Sequence, residues 1–389
     1  MDQTDERRLD ELRSMCADER YLEVVLRHCP SIDPIIGRGR FNANIHPCDQ
    51  MLLHSLRHHR DAGAAFSQYF SIALQQYASA RQIMTILFGA DAARIDVLDF
   101  ACGYGRLLRF LGLAMPTSHI WASELQADAV AFVADAFGVQ TIASHADPAQ
   151  FTPGRQFDFI WVASLFSHLP EPLFHAWLAK LVSLLTPRGV LCFSVRDAAL
   201  LPVGETLPSS GIAYAERSEN AELDADIYGT TYADEAFVRR ALHAATHDAR
   251  PLHRLPRALA NEQDLYVVAA DPQRDLSTLA AFRRGPWGWL DRRSLSDSGQ
   301  LALQGWAASL DDGAVECVEI DIDGRIHRCA TGISRPDVAA AFADARLVDA
   351  GWEFRHTLDA DTRAVRIAVS ACAGHGESAL LYVGTVCVG

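Results

Sequence analysis

The residues best equipped for chemistry lie in one stretch, Val97-Leu98-Asp99-Phe100-Ala101-Cys102-Gly103-Tyr104-Gly105-Arg106-Leu107-Leu108-Arg109. A short apolar run ends on an acid, turns on small residues and resumes with helical spacing. Such a turn brings backbone N–H groups and a helix N-terminus close to a ligand. In an open parallel α/β sheet, that crevice at the carboxyl ends of the strands is where ligands bind. A dinucleotide fingerprint needs a third glycine three residues after Gly105, and Leu108 stands there instead. A phosphate loop ending in Gly-Lys-Ser/Thr is also absent. If residue 101 adopts positive φ, Ala101 is strained, since only glycine enters that region freely.

Further reactive side chains follow. Glu124 closes the next apolar run, His119–Glu124, and a carboxylate offers two acceptors to two neighbouring hydroxyls. His168 comes just after a fourth apolar run; its imidazole titrates near neutral pH, which suits a general base, and capping the next helix is the alternative reading. Asp197, Tyr214, Glu216 and Tyr228 lie in a long insertion, 196–231, where an acceptor lid belongs. His54 and His58 have i, i+4 spacing but no accompanying acid or cysteine at ligand spacing, so solvated or capping roles are expected and no metal site.

The elements that must position these groups are legible from periodicity. Residues 1–90 read as helical, with apolar runs over 5–29, 49–59 and 63–88 and breaks at Pro30 and Pro34. From residue 94 strands and helices alternate: strands at 97–100, 119–124, 140–144, 157–164, 190–195 and 264–270, with helices at 105–113, 127–137, 171–185 and 233–245. That alternation implies a parallel sheet covered by helices on both faces. Residues 272–287 read as a linker. Beyond it the period falls to two, with strands at 300–308, 315–321, 325–330, 352–358, 364–371 and 380–388 and a hairpin signal at Asp323-Gly324. A β-sandwich over 288–389 fits this pattern.

The turn resembles motif I of the class I S-adenosylmethionine-dependent methyltransferases, acid-x-Gly-x-Gly-x-Gly, with Asp99, Gly103 and Gly105 in register and Ala101 where the first glycine usually stands. The resemblance extends from residue 49 to 270. It implies a Rossmann-like methyltransferase sheet over 91–271, an N-terminal helical cap over 1–90, and S-adenosylmethionine as cofactor with S-adenosylhomocysteine as product. It also implies that Glu124 grips the ribose hydroxyls, with Leu125 beside the sugar or adenine. The acid facing the adenine is then Asp147, with Ser144, His145 and Ala146 competing for the place. Phe157-Asp158-Phe159-Ile160-Trp161-Val162-Ala163-Ser164-Leu165 is similar to the family's fourth motif, so Ser164 and Leu165 are expected at the methionine and sulfonium end. Leu185-Thr186-Pro187-Arg188-Gly189 resembles the family's leucine-x-proline-glycine-glycine turn, with Arg188 replacing a glycine. Tyr69-Phe70 resembles an aromatic pair upstream of motif I; Tyr69 is expected either to reach the cofactor carboxylate or to pack in the core. His168, Tyr214 and Tyr228 are the candidate catalytic residues.

A net charge of −14 excludes partners that need a basic face, namely nucleic acid and anionic membranes. No run approaches membrane-spanning length, the first twenty residues are charged rather than signal-like, and nine scattered cysteines form no C-x-x-C pair. A cytoplasmic protein without disulfides is expected. The sandwich, with Gly305-Trp306-Ala307 and Arg335-Pro336-Asp337-Val338, resembles accessory modules that accompany bacterial glycan-assembly enzymes. The expected acceptor is therefore a saccharide or glycan intermediate, with a small metabolite as the alternative. The sandwich is expected to bind glycan, a glycan-assembly partner or a second copy; Trp287, Trp289 and Trp352 are candidates to stack on sugar rings, although a Trp in a small sandwich more often belongs to its core. A non-catalytic cofactor-binding scaffold is the third reading.

Overall fold

Apolar residues at helical spacing fold the start of the chain into α1 (Gln3–Ala17) and α2 (Glu19–Arg27), the latter capped by Asp18, whose carboxylate accepts from Arg20 N. Helices α3 (Gln50–His58) and α4 (Ala62–Phe88) follow, and Asp49 caps α3 through Met51 N and Leu52 N. The computed structural model describes residues 3–30, 32, 37, 39–59, 61–202, 204–216 and 226–389; Pro34, expected to break the helices, lies outside them. Residue contacts divide the chain into two units, 75–282 on one hand and 1–74 with 283–389 on the other. The N-terminal helices up to residue 74 thus group with the C-terminal strands.

Within residues 75–282 the chain runs β1 (Val97–Phe100), α5 (Leu108–Ala114), β2 (Ile120–Glu124), α6 (Ala127–Phe137), β3 (Gln140–Ala143), β4 (Phe157–Val162), α7 (Glu171–Ser183) and β5 (Leu185–Val195). A hairpin of β6 (Ile212–Ala215) and β7 (Thr230–Ala233), helix α8 (Glu235–Thr246), β8 (Leu252–Leu259) and β9 (Gln263–Ala269) complete it. The sheet order is β3-β2-β1-β4-β5-β9-β8. Strands β1 to β5 are parallel, as the alternation implies, but β9 pairs antiparallel with β5, and β8, unforeseen in the sequence, pairs antiparallel with β9. The chain reverses at residues 260–262 through Ala260 and Asn261, both at positive φ, so β8 and β9 form a hairpin that no helix separates.

β1 and β4 are fully buried runs, as a sheet covered on both faces requires. The expected turn at 186–189 is a bulge inside β5: Phe157 pairs with Leu185 and Phe159 with Val190. Arg188, standing where the family has glycine, donates to both carboxylate oxygens of Asp158 at 3.0 Å, and Thr186 Oγ1 donates to Asp158 Oδ1 at 2.7 Å. The ion pair ties the bulge to β4.

In the other unit two antiparallel sheets share a core. Strands β10 (Pro286–Leu295), β11 (Gln300–Ser309) and β14 (Gly351–Thr357) form one, in the order β10-β11-β14. Strands β12 (Cys317–Ile322), β13 (Arg325–Cys329), β15 (Ala364–Cys372) and β16 (Ser378–Cys387) form the second, in the order β13-β12-β15-β16. The expected linker contains a 3-10 turn, Ser277–Ala281, and the start of β10. Asp323 and Gly324 are both at positive φ, as a tight hairpin demands. Helix α9 (Pro336–Phe342) follows Arg335, which bridges Asp291 and Asp337 at 2.6 and 2.8 Å.

Ser67, Ser71, Tyr21 and His28 hydrogen-bond to β15 and β16, which fixes the N-terminal helices against this sandwich. Trp352 is fully buried among Leu301, Leu303, Ile320 and Ile367, so it does not stack on a sugar. Trp289 is half-buried and stacks on His59 at 5.0 Å. Trp352→Ala should lower stability by about 3–5 kcal/mol, because it removes a large buried ring and leaves a cavity; chemical denaturation followed by fluorescence measures this.

Candidate functional site

β1 pairs with β2 on one side and β4 on the other, so the connection direction reverses between β1 and β4. A ligand crevice is expected at the carboxyl ends there. Register sets the geometry: Asp99 pairs with Ala122 and with Trp161, which brings the turn after Phe100 beside the ends of β2 and β4.

The turn and Glu124 form one constellation. Gly103 N donates to Glu124 Oε2 at 2.8 Å, and Leu125 N donates to Glu124 Oε1 at 2.6 Å. Cys102 N donates to Ser123 O at 3.1 Å. Ala101 sits at φ 57°, the strained left-handed region anticipated for a residue in glycine's place. Gly103 and Gly105 are also left-handed, and they do different work. A Cβ on Gly105 would lie 2.4 Å from Phe137, so its glycine lets α6 approach the turn, whereas a Cβ on Gly103 would meet nothing within 4 Å. Gly103 leaves room for a ligand; Gly105 leaves room for the protein. Leu125, 41% exposed, presents an apolar surface beside Glu124.

Asp99 is buried, and among the described residues its Oδ2 has no hydrogen-bond partner. Burial, and next the charge of Glu124, push its carboxyl up to about 8. A buried acid beside open space fits a cationic or hydrogen-bonding group of a bound molecule. The same low-dielectric pocket raises the Cys102 thiol, so this cysteine is no nucleophile at neutral pH. Asp147 is exposed and turned to its own chain. It accepts from Ala149 N at 2.9 Å and Gln150 Nε2 at 3.2 Å, and the Ala149 bond lowers its carboxyl. Tyr69 belongs to the other unit, where its fully buried hydroxyl donates to Asp49 at 2.7 Å.

The end of β4 is held by a ring of polar side chains. Ser164, at φ 62°, donates its N–H to Ser194 Oγ at 2.7 Å; Ser194 donates to Gln263 Oε1 at 2.7 Å; Gln263 Nε2 donates to Ser164 Oγ at 3.0 Å. Neither Ser194 nor Gln263 stands out in the sequence, because their role depends on β5 and β9 lying side by side. Leu165 is half-buried, and its carbonyl accepts from His168 N.

The insertion returns to the same place. His168 Nδ1 donates to Gly229 O at 2.6 Å, Gly229 N donates to His168 O at 2.8 Å, and the Tyr228 ring stacks on His168 at 4.4 Å. The Nδ1 bond to a carbonyl puts the proton on Nδ1, so the neutral ring carries its lone pair on Nε2. A Cβ on Gly229 would fall 2.7 Å from the Tyr214 hydroxyl oxygen and 2.3 Å from Ala215 O. His168, Tyr214 and Tyr228, separated by up to sixty residues, therefore converge on Gly229, which sequence reasoning missed. Asp197, a rival base, is engaged by Arg254 at 2.9 Å and caps the turn at Ala199. Residues 203 and 217–225 of the insertion lie outside the described residues. The His54 and His58 rings lie 4.0 Å apart and tilted to one another, with His58 Nδ1 hydrogen-bonded to His54 O.

Residues 97–189 match the family described as "Methyltransferase domain". No curated protein matches the chain. Among solved structures, the chain is similar to the Burkholderia thailandensis 1,6-didemethyltoxoflavin-N1-methyltransferase with 1,6-didemethyltoxoflavin and S-adenosylhomocysteine bound: 21% identity over 50% of this chain and 79% of that one, TM-score 0.35. The glycopeptide N-methyltransferase MtfA complexed with sinefungin gives 20%, 50% and 93%, TM-score 0.37. The N-terminal domain of EvdMO1, in the presence of S-adenosylhomocysteine and D-fucose, gives 20%, 50% and 82%, TM-score 0.35.

Asp99 makes a signed prediction. Burial, with the Glu124 charge, pushes its carboxyl up to about 8 in the folded chain against ~4 in the unfolded one, so between these values the folded chain holds a proton that the unfolded chain has lost. Stability from this group is full below pH ~4 and falls as pH rises towards 8. In Asp99→Asn that slope should vanish, with stability at pH 8 equal to or above wild type. Parallel stability–pH curves for the two proteins would show that Asp99 is not the titrating group.

Proposed function

Residues 97–189 are a methyltransferase domain of the class I, S-adenosylmethionine-dependent kind, and from that premise we propose that the chain methylates a hydroxyl of a saccharide or glycan-assembly intermediate. The observation that carries the choice of oxygen is the imidazole of His168 set after β4, our proposed base, whose tautomer the Nδ1 bond to Gly229 O fixes. Transfer to nitrogen or sulfur needs no such base; a hydroxyl must lose its proton as it attacks.

When bound, S-adenosylmethionine supplies a methyl group already activated on a sulfonium and leaves as S-adenosylhomocysteine. The residues present fit it. The open side of Gly103, the unpartnered buried Oδ2 of Asp99 and the exposed Leu125 leave both space and polarity for an adenosyl amino acid. We assign Glu124 to the ribose hydroxyls, Leu125 to the sugar or adenine face, and Asp99, Ala101 and Gly103 to the amino-acid end. Ser164 and Leu165 line that end from β4. Asp147 is kept for the adenine amino group, on condition that it releases its own turn. Tyr69 is left out, since Asp49 holds its hydroxyl.

The protein's work is alignment and exclusion of water, and orientation alone supplies about 7–11 kcal/mol in well-placed reactions. His168 Nε2 takes the acceptor proton, Gly229 fixes the ring's tautomer, and Tyr228 packs on its face to hold it in plane. Tyr214 packs on Gly229 from β6 and so supports the residue that holds the imidazole. The net charge of −14 favours a neutral or cationic acceptor over nucleic acid, and the sandwich is the part available to bind glycan or a partner protein. Among the described residues no helix is long and apolar enough to cross a membrane; a cytoplasmic site of action is part of the proposal.

Calorimetry with S-adenosylmethionine, followed by a labelled-methyl assay on glycan fractions and on small metabolites, tests the reading. Glu124→Ala should weaken cofactor binding by ~10–100-fold, the loss of charge-assisted hydrogen bonds. His168→Ala should lower kcat by ~10²–10⁴-fold while the affinity for S-adenosylhomocysteine stays unchanged. Label transferred only to small metabolites would move the acceptor to that class. Binding without transfer to any fraction would favour a scaffold.

A further inference from the structure

The four-stranded sheet of the sandwich gathers thiols at one end. Cys317 on β12 and Cys372 on β15 are paired directly across the antiparallel ladder, and Glu319, two residues along β12, shares their face because side chains alternate. The inward residues of β12, Val318, Ile320 and Ile322, are buried in the core, while Cys317, Glu319 and Cys372 keep partial access to solvent. One ligand atom from each of the three lies within 4.8 Å of the others. From the other side Arg328 Nη2 holds Glu319 Oε1 at 2.7 Å, which fixes the carboxylate as an outer partner does in metal sites.

We propose that Cys317, Cys372 and Glu319 bind a thiophilic divalent cation, zinc first, as a three-ligand site whose fourth position is taken by water. Tetrahedral zinc with sulfur at ~2.3 Å sets its ligand atoms ~3.7 Å apart, so the triad closes by side-chain rotation without moving the strands. Two thiolates and a carboxylate are the donors that such an ion selects over magnesium or calcium. A thiol of ordinary acidity, ~8.5, carries its proton at neutral pH before the ion arrives. Binding therefore forms two metal–sulfur bonds and one metal–oxygen bond and releases both thiol protons; no oxidant or reductant takes part. The site joins β12 to β15 in the middle of their sheet, so the ion also braces the sandwich.

The test uses the full chain, kept reduced with a phosphine, and titrates it with cobalt(II) and then zinc(II). The expected result is a sulfur-to-cobalt charge-transfer band with tetrahedral visible bands, saturating at one ion per chain and erased by one equivalent of zinc. Proton release in weak buffer should approach two per ion. Cys317→Ser and Cys372→Ser should each abolish the band, Glu319→Gln should weaken binding by ~10-fold or more, and Cys387→Ser, an exposed thiol outside the triad, should change nothing. The proposal fails if the band is absent in the reduced protein, or if it persists when both Cys317 and Cys372 are replaced. It fails equally if the two cysteines prove to be a disulfide and their reduced form takes up no ion. Circular dichroism of each variant separates loss of the site from loss of the fold.

Discussion

Two carboxylates at the ends of neighbouring parallel strands organise the crevice of this protein, and they do so by being unequal. Glu124 is satisfied by two backbone N–H groups and partly open to water, whereas Asp99 is buried with one oxygen unpartnered. Two like charges this close cannot both be ionised cheaply in low dielectric. The environment answers that conflict at Asp99, whose carboxyl is pushed up to about 8 by burial and then by the Glu124 charge. Glu124 is then free to fix the turn through Gly103 N–H while still offering acceptors outward. Asp99 becomes a group whose charge state answers to whatever cation arrives.

The second lip of the crevice is built by a different device. At the end of β4 the chain cannot satisfy its polar groups by pairing, because the strand stops and the insertion begins. Ser164, Ser194 and Gln263 close a ring of hydrogen bonds across β4, β5 and β9. His168 and Gly229 exchange two bonds, so the imidazole is held by a residue of the insertion. Thr231 adds two more, donating N–H to Ser167 O and Oγ1 to Leu169 O. A helix-capping role for His168, the alternative reading of the sequence, gives way to this arrangement: α7 begins at Glu171, after Pro170, and its cap makes no use of the imidazole.

What the sequence reveals and what it hides follows from the range of the interactions. Runs such as Val97–Phe100, Phe157–Val162 and Ala127–Phe137 are local patterns, and the structure has them at or near the expected bounds. The strain at Ala101 was also legible, since it needs only a motif and knowledge of which φ the motif requires. Strand β8 was not: Leu252–Leu259 carries Arg254, Pro256 and Arg257 and is half-exposed over much of its length, so it lacks the apolar signal of a central strand. Its place is set by Arg254 pairing with buried Asp264, a contact that no periodicity announces. Gly229 and Gln263 were hidden for the same reason, because each matters only through partners dozens of residues away. Trp352 left both readings open, because an aromatic at a strand start looks alike whether it faces a sugar or a core, and the structure has it in the core.

The two non-glycine residues at positive φ that flank the crevice, Ala101 after β1 and Ser164 after β4, belong to one argument. Each costs on the order of 1–2 kcal/mol against an extended residue, and neither is needed to end a strand. Ala101 turns the chain so that Gly103 N–H meets Glu124, and Ser164 turns it so that its N–H meets Ser194 and the carbonyl of Leu165 accepts from His168. Because β1 and β4 are adjacent and in register, the two turns open the sheet edge at one point from both sides. Strain of that kind persists only where the surrounding bonds over-determine it, and here they do, through the Glu124 clamp on one lip and the Ser194–Gln263 ring on the other. The crevice is therefore shaped by the folded protein before any ligand enters, which is what alignment-dominated transfer of an already activated methyl group requires.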